Sequence, residues 1–241
     1  MNSITAGLGS LYDRCTRVLA HFDGVPALLL RLILGPVLIA AGWEKLSGEN
    51  WFAGIQGAMP FPFHIVPVEI SWFLASWTEF LGGIALLLGL GTRIIALPLA
   101  VVMFVAGYSV HLSNGWAAIA PSNPPALCTA DRSDPEAGGW LERVIRCQSV
   151  NERTIEASER LRRAKGILRR HGNYAYLNGN GAIVKLNSGI EFSAIYFAML
   201  LSLMAIGGGR YLSLDYFLAR RHGRDRGRAR GLPGETAFVK S

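Results

Sequence analysis

The sequence predicts an all-α membrane protein, a four-transmembrane-helix bundle with a periplasmic cap between helices 3 and 4. The cap is expected to hold one helix plus a small β-hairpin. Three observations carry this reading. Four apolar stretches lie at about residues 25–43, 70–91, 94–112 and 189–207. Each can cross a hydrocarbon core of ~30 Å, which takes ~20 helical residues, and lipid offers no partners for free backbone groups. The charge is unevenly placed: no Lys or Arg lies between Leu46 and Thr92 or between Ile94 and Asp131, although the chain carries a net charge of +7. Residues 113–188 form a connection too long to be unstructured.

Taken in order, residues 1–24 read as a cytoplasmic amphipathic lead-in, and residues 25–112 as transmembrane helices 1–3. Residues 113–188 read as the periplasmic insertion, residues 189–222 as helix 4 with a juxtamembrane segment, and residues 223–241 as a disordered basic tail. Arg14, Arg17, Arg93 and the arginine-rich tail place both termini in the cytoplasm by the positive-inside rule. No cleavable signal is expected, because residues 1–24 are mixed polar. In a bacterium the outer side is the periplasm; the residue pattern by itself names no organism. The basic tail fits anionic lipid and cytoplasmic retention better than nucleic acid, so no nucleic-acid partner is expected.

The first span holds Arg31 and Pro36, and the first outer loop holds MPFPFHIVP at 59–67, whose prolines exclude a regular helix. The second and third spans are joined at Gly91-Thr92-Arg93 and must form a tight antiparallel pair. Gly82, Gly83 and Gly89 read as packing positions. In the insertion, residues 151–171 read as a helix capped by Asn151 and stopped at Gly172, with acids early and Arg169, Arg170 and His171 late. Its stripe Ala157, Leu161, Ala164 and Leu168 suits core packing or partner docking. Residues 174–187, with two Asn-Gly dipeptides between short apolar runs, read as the hairpin.

Cys15 reads as an inert cytoplasmic thiol. Cys128 and Cys147 share the outer loop, where an oxidising compartment favours a disulfide worth ~3 kcal/mol. A redox-active pair and soft Cu(I) ligands stay open as alternatives.

Ionisable residues at membrane depth are the functional suspects. Glu79 lies near mid-depth and needs a partner or a shifted titration. Lys45, His111 and Glu191 lie near the outer ends of three different helices, with Glu44 and Glu69 at the same level and His64 on the adjoining loop. Each also has a structural reading. Arg31 can snorkel or bond neighbouring helices, Lys45 and Glu191 can be interface residues, and His111 can be a hydrogen-bonded helix end. No Gly-rich phosphate loop, paired CxxC or zinc-protease helix is present, which argues against ATP hydrolysis and proteolysis.

The segments RLILGPVLIAAGWEKL (31–46), TEFLGGIALLLGLGTR (78–93) and HLSNGW (111–116) resemble the DoxX family of small four-helix membrane proteins. NER (151–153), AKGILRRHGNYAYL (164–177), NSGIEF (187–192) and GGGRYLSLDYFLARR (207–221) resemble its HvfX-type branch, found beside genes for copper-binding, ribosomally made peptides. The resemblance implies copper homeostasis and maturation of a copper-binding peptide. It also implies quinone-linked redox chemistry, with quinone and copper as the cofactors to consider. Glu79, His111 and Lys45 are then the expected catalytic residues. Arg31, Lys45, His111 and Glu191 would bind the cofactor. By ligand type alone, His64 and His111, with Met59, Cys128 and Cys147, are candidate copper ligands. Whether the protein is an enzyme stays open. The alternative is a non-enzymatic scaffold or transport accessory that docks the peptide or a maturation enzyme. The expected partners are the lipid bilayer and that peptide or its enzymes; a homo-oligomer is compatible with this organisation.

Overall fold

The computed structural model describes residues 12, 14, 16, 22–123 and 150–229. Its elements are α1 (Val25–Ser47), α2 (Val68–Leu88), α3 (Thr92–Ala106), α4 (Glu152–His171), α5 (Tyr174–Leu177), α6 (Glu191–Ile206) and α7 (Leu214–Ala229). A π-turn at Gly107–His111 and a 3-10 turn at Leu112–Asn114 prolong α3. Three segments are long and apolar enough to cross a membrane: Val25–Ser47, Val68–Leu88 and Thr92–Asn114. The fold is mostly helical, and no strand occurs among the described residues.

Two expectations are corrected. The fourth apolar stretch forms a helix of 16 residues, Glu191–Ile206. At 1.5 Å per residue that is about 24 Å, short of the ~30 Å core, so three spans and not four meet the length requirement. Its ends are fixed by backbone closures: Gly207 N–H donates to Leu203 O at 2.8 Å, and Glu191 N–H donates to Trp116 O at 3.0 Å. The hairpin at 174–187 does not form. Asn173 Oδ1 accepts from Tyr176 N–H at 3.1 Å and starts the short helix α5 instead. Asn178 Oδ1 accepts from Ile183 N–H at 3.1 Å, so the Asn-Gly residues close turns without flanking strands. Leu186 pairs with Ile119 in a single antiparallel bridge. In addition, α7 continues to Ala229, into the stretch expected to be disordered.

The described chain divides into two compact units. The first comprises Met1–Asn50, Trp72–Ala100 and Ala198–Ser241; the second comprises Trp51–Ser71 and Val101–Phe197. In the first, α1 and α2 pack at backbone distance. A Cβ on Gly42 would stand 2.4 Å from Phe80 N, so only glycine permits this approach. Leu34, Leu38, Leu86, Leu99, Leu200 and Leu203 are buried in this unit. The turn from α2 to α3 runs through Gly89 at φ +63°, the left-handed conformation that glycine adopts without strain.

In the second unit, α4 follows the sequence reading. Asn151 Oδ1 accepts from Thr154 N–H at 2.9 Å as the cap, and Gly172 N–H closes on Leu168 O at 2.9 Å. The buried face is Thr154, Ala157, Ser158 and Leu161. Ala164, expected on that stripe, is exposed.

Candidate functional site

Arg31 lies seven residues into α1 and is fully buried. Its guanidinium has five N–H donors, and five backbone carbonyls receive them. Nε donates to Leu86 O at 2.6 Å, and Nη2 to Leu87 O at 2.6 Å and Leu212 O at 2.7 Å. Nη1 donates to Gly208 O at 2.9 Å and Tyr211 O at 3.2 Å. These carbonyls belong to the end of α2 and to the link between α6 and α7, where helix termini leave acceptors unsatisfied. One side chain therefore ties the first part of α1, the end of α2 and the chain after α6 at one level. Next to it, the Asp215 carboxylate accepts from Gly91 N–H at 2.6 Å and Thr92 N–H at 2.8 Å, capping α3. Asp215 N–H in turn donates to Gly89 O at 2.9 Å.

Fourteen residues further along α1, roughly 21 Å by helical rise, Lys45 Nζ meets Glu79 Oε2 at 2.6 Å. Nζ also reaches Ala41 O at 3.4 Å. Glu79 is 3% exposed and Lys45 18%, so the carboxylate is sealed while the lysine side chain keeps some exposed surface. The Gly42–Phe80 approach makes this possible, since Gly42 lies about one turn before Lys45 and Phe80 follows Glu79. Phe80 also packs against Trp43 at 5.9 Å and Trp77 at 6.2 Å between ring centroids, and both indoles have exposed surface. The arrangement offers a cationic donor and a buried proton acceptor beside an aromatic row.

The second unit holds His111 and Glu191. His111 Nδ1 lies 2.7 Å from Ser188 O. A carbonyl oxygen only accepts, so the neutral ring carries its proton on Nδ1 and presents a lone pair at Nε2. Ser188 has φ +56°, an uncommon conformation for a residue with a side chain. Asn114 Nδ2 donates to the same carbonyl at 3.2 Å. Glu191 Oε2 accepts from Ala118 N–H at 3.0 Å. Asn187 Nδ2 donates to Asn114 O at 2.7 Å and Ala117 O at 2.8 Å, and lies 3.2 Å from Thr154 Oγ1. Three separate sequence segments, 111–118, 151–154 and 187–191, thus meet in one polar knot.

Among the expected site residues, Lys45 and Glu79 are brought into contact. Arg31 is committed to carbonyls, and Glu191 holds a backbone N–H. His64 is exposed, with its ring 6.1 Å from that of Phe61. Cys15, Cys128 and Cys147 lie outside the described residues. Among the described residues, no group of three or more His, Cys, Asp or Glu is placed to hold a metal ion. Sequence reasoning missed Asp215, Asn187 and Thr154. Nothing local in the sequence marks the first, because the helix Asp215 caps, α3, begins far away along the chain. Nothing in the sequence marks Asn187 as the center of a knot.

Residues 27–112 match the protein family described as DoxX, so a DoxX domain is present there. An uncharacterized protein of Haemophilus influenzae (strain ATCC 51907 / DSM 11121 / KW20 / Rd) is 41% identical over 94 residues, covering 39% of this chain. The match spans 62% of that relative's length. No solved structure matches.

Proposed function

We propose that this chain is a DoxX-type protein of a bacterial inner membrane that couples quinone reduction to thiol oxidation at the Lys45–Glu79 pair. The observation that carries the proposal is a carboxylate 3% exposed, inside a candidate span, held at 2.6 Å by a lysine that keeps some exposed surface. Ionisable groups at such depth are costly and mark chemistry or pathways. A bound quinone would take two electrons and two protons from two thiols, giving quinol and a disulfide. Two of the three Lys45 N–H groups point to Glu79 and Ala41, and the third is available to a carbonyl oxygen. Glu79 holds the ammonium in place and accepts a proton from it or returns one. The residues present therefore fit a quinone headgroup.

The resemblance to the HvfX-type branch extends this to maturation of a copper-binding peptide and to copper homeostasis.

A second reading is a non-enzymatic scaffold. It is favoured by the polar knot, whose Asn114, Thr154 and Asn187 side chains are engaged in internal hydrogen bonds. Thiol-dependent reduction of a short-chain quinone by purified wild type, Lys45→Met and Glu79→Gln separates the two. Activity in wild type, lost at least about tenfold in each variant, is expected. No activity in folded wild-type protein leaves the scaffold.

A further inference from the structure

The second unit contains an apolar groove of about 250 Å³ between the π-turned end of α3 and the start of α6. Met103, Phe104, Tyr108, Leu112, Ile190 and Phe197 form most of its wall. Phe104, Tyr108 and Leu112 are each about half exposed, so the groove is open along one side. Its volume is just below the ~300–1,000 Å³ of pockets that enclose a whole small ligand. It suits part of an alkyl chain. The groove lies within the candidate span Thr92–Asn114, at the depth where chains are available.

Polar groups adjoin it along the chain. His111 follows Gly107 and Tyr108 by about one turn, and Ser188, its anchor, precedes the groove residue Ile190 by two positions. Asn114 shares the Ser188 carbonyl with His111. The Asn114 Oδ1 accepts from Arg153 Nη1 at 3.0 Å, and Ser113 Oγ lies 3.4 Å from the same nitrogen. Those two bonds use Nη1 and fix the guanidinium. The Nε–Nη2 edge, which matches two oxygens of an oxyanion, has no hydrogen bond or ion pair to another described residue, and Arg153 is exposed. The nearest acids in sequence to Arg153 are Glu152, which is exposed, and Glu156, which pairs with Arg160; Glu191, near Ser188, is held by Ala118 N–H.

We infer that this unit binds one anionic phospholipid, with its phosphate at the Arg153–Asn114–His111 relay and one acyl chain in the groove below. Cation and groove lie at the end of one membrane-crossing segment, as the two halves of an amphiphile require. The charge complementarity selects a phosphate headgroup over a neutral one. This site is separate from the Lys45–Glu79 pair, so its failure leaves the proposed redox reading untouched.

Native mass spectrometry of the full-length protein, released from nanodiscs containing phosphatidylglycerol and phosphatidylcholine, tests the inference. Wild type is expected to retain one phosphatidylglycerol in preference to phosphatidylcholine. Arg153→Gln removes the fork, and Ala194→Phe fills the groove, whose wall includes Ala194; each should lower retention about tenfold. Inorganic phosphate should not displace the lipid. Equal retention of the two lipids, unchanged retention in both variants, displacement by phosphate alone, or retention of a neutral prenyl quinone instead would overturn it. Thermal unfolding in detergent establishes that each variant folds. If Arg153→Gln does not fold, the wild-type competition and Ala194→Phe decide the matter.

Discussion

Replacing Arg31 with leucine should destabilise the first unit more than any other single change in it. The side chain is fully buried and makes five bonds to carbonyls from two parts of the chain. Charged hydrogen bonds contribute ~1.5–3 kcal/mol each, which summed naively exceeds 7 kcal/mol. Such values do not add, and a chain unfolded within the membrane also finds partners, so single polar contacts there average nearer 0.6 kcal/mol. Leaving a buried acceptor unpaired costs about 1–3 kcal/mol, and with incomplete additivity over these carbonyls a loss of about 3–5 kcal/mol is expected for Arg31→Leu. Arg31→Lys keeps the charge but offers three N–H groups from one point. It cannot reach Leu86, Leu87 and residues 208–212 together, so it should recover less than half of the loss. Unfolding by denaturant in mixed micelles, read by helical circular dichroism, measures both. A loss below ~1 kcal/mol in Arg31→Leu would refute the claim that this fork holds the three segments together.

Two further outcomes follow from the geometry. Asp215→Ala removes the carboxylate that receives Gly91 and Thr92 N–H, and should cost ~0.5–2 kcal/mol in the same assay, with Asp215→Asn intermediate. For His111, nitrogen NMR of labelled imidazole should show the neutral ring protonated at Nδ1; a proton at Nε2 would contradict the bond to Ser188 O.

Much of the fold could be read from the sequence because long apolar runs and caps are local signals. The spans at α1, α2 and α3 follow from lipid thickness, and α4 follows from Asn151, the acid-to-base gradient and Gly172. The hairpin does not follow from its sequence signal, because Asn-Gly dipeptides favour turns without specifying what flanks them. Leu186 found Ile119, far off in sequence, instead of a neighbour. The length of α6 was misjudged because hydropathy counts apolar residues and not the backbone closures that end a helix. Glu79 announced its need for a partner, yet the choice of Lys45 depended on how closely two backbones approach at Gly42. Arg31 was ambiguous because its partners are carbonyls, which every residue carries. Asn187 and Ser188 were invisible as organisers, since their roles come from tertiary contacts with segments 111–118 and 151–154.

Proton exchange at Glu79 during turnover is the property to measure. Infrared difference spectra of the purified protein, recorded with thiol before and after adding quinone, should show a carboxyl band change that disappears in Glu79→Gln. A carboxyl band that stays silent in catalytically active wild type, or that persists in Glu79→Gln, would contradict the assignment of proton handling to the Lys45–Glu79 pair.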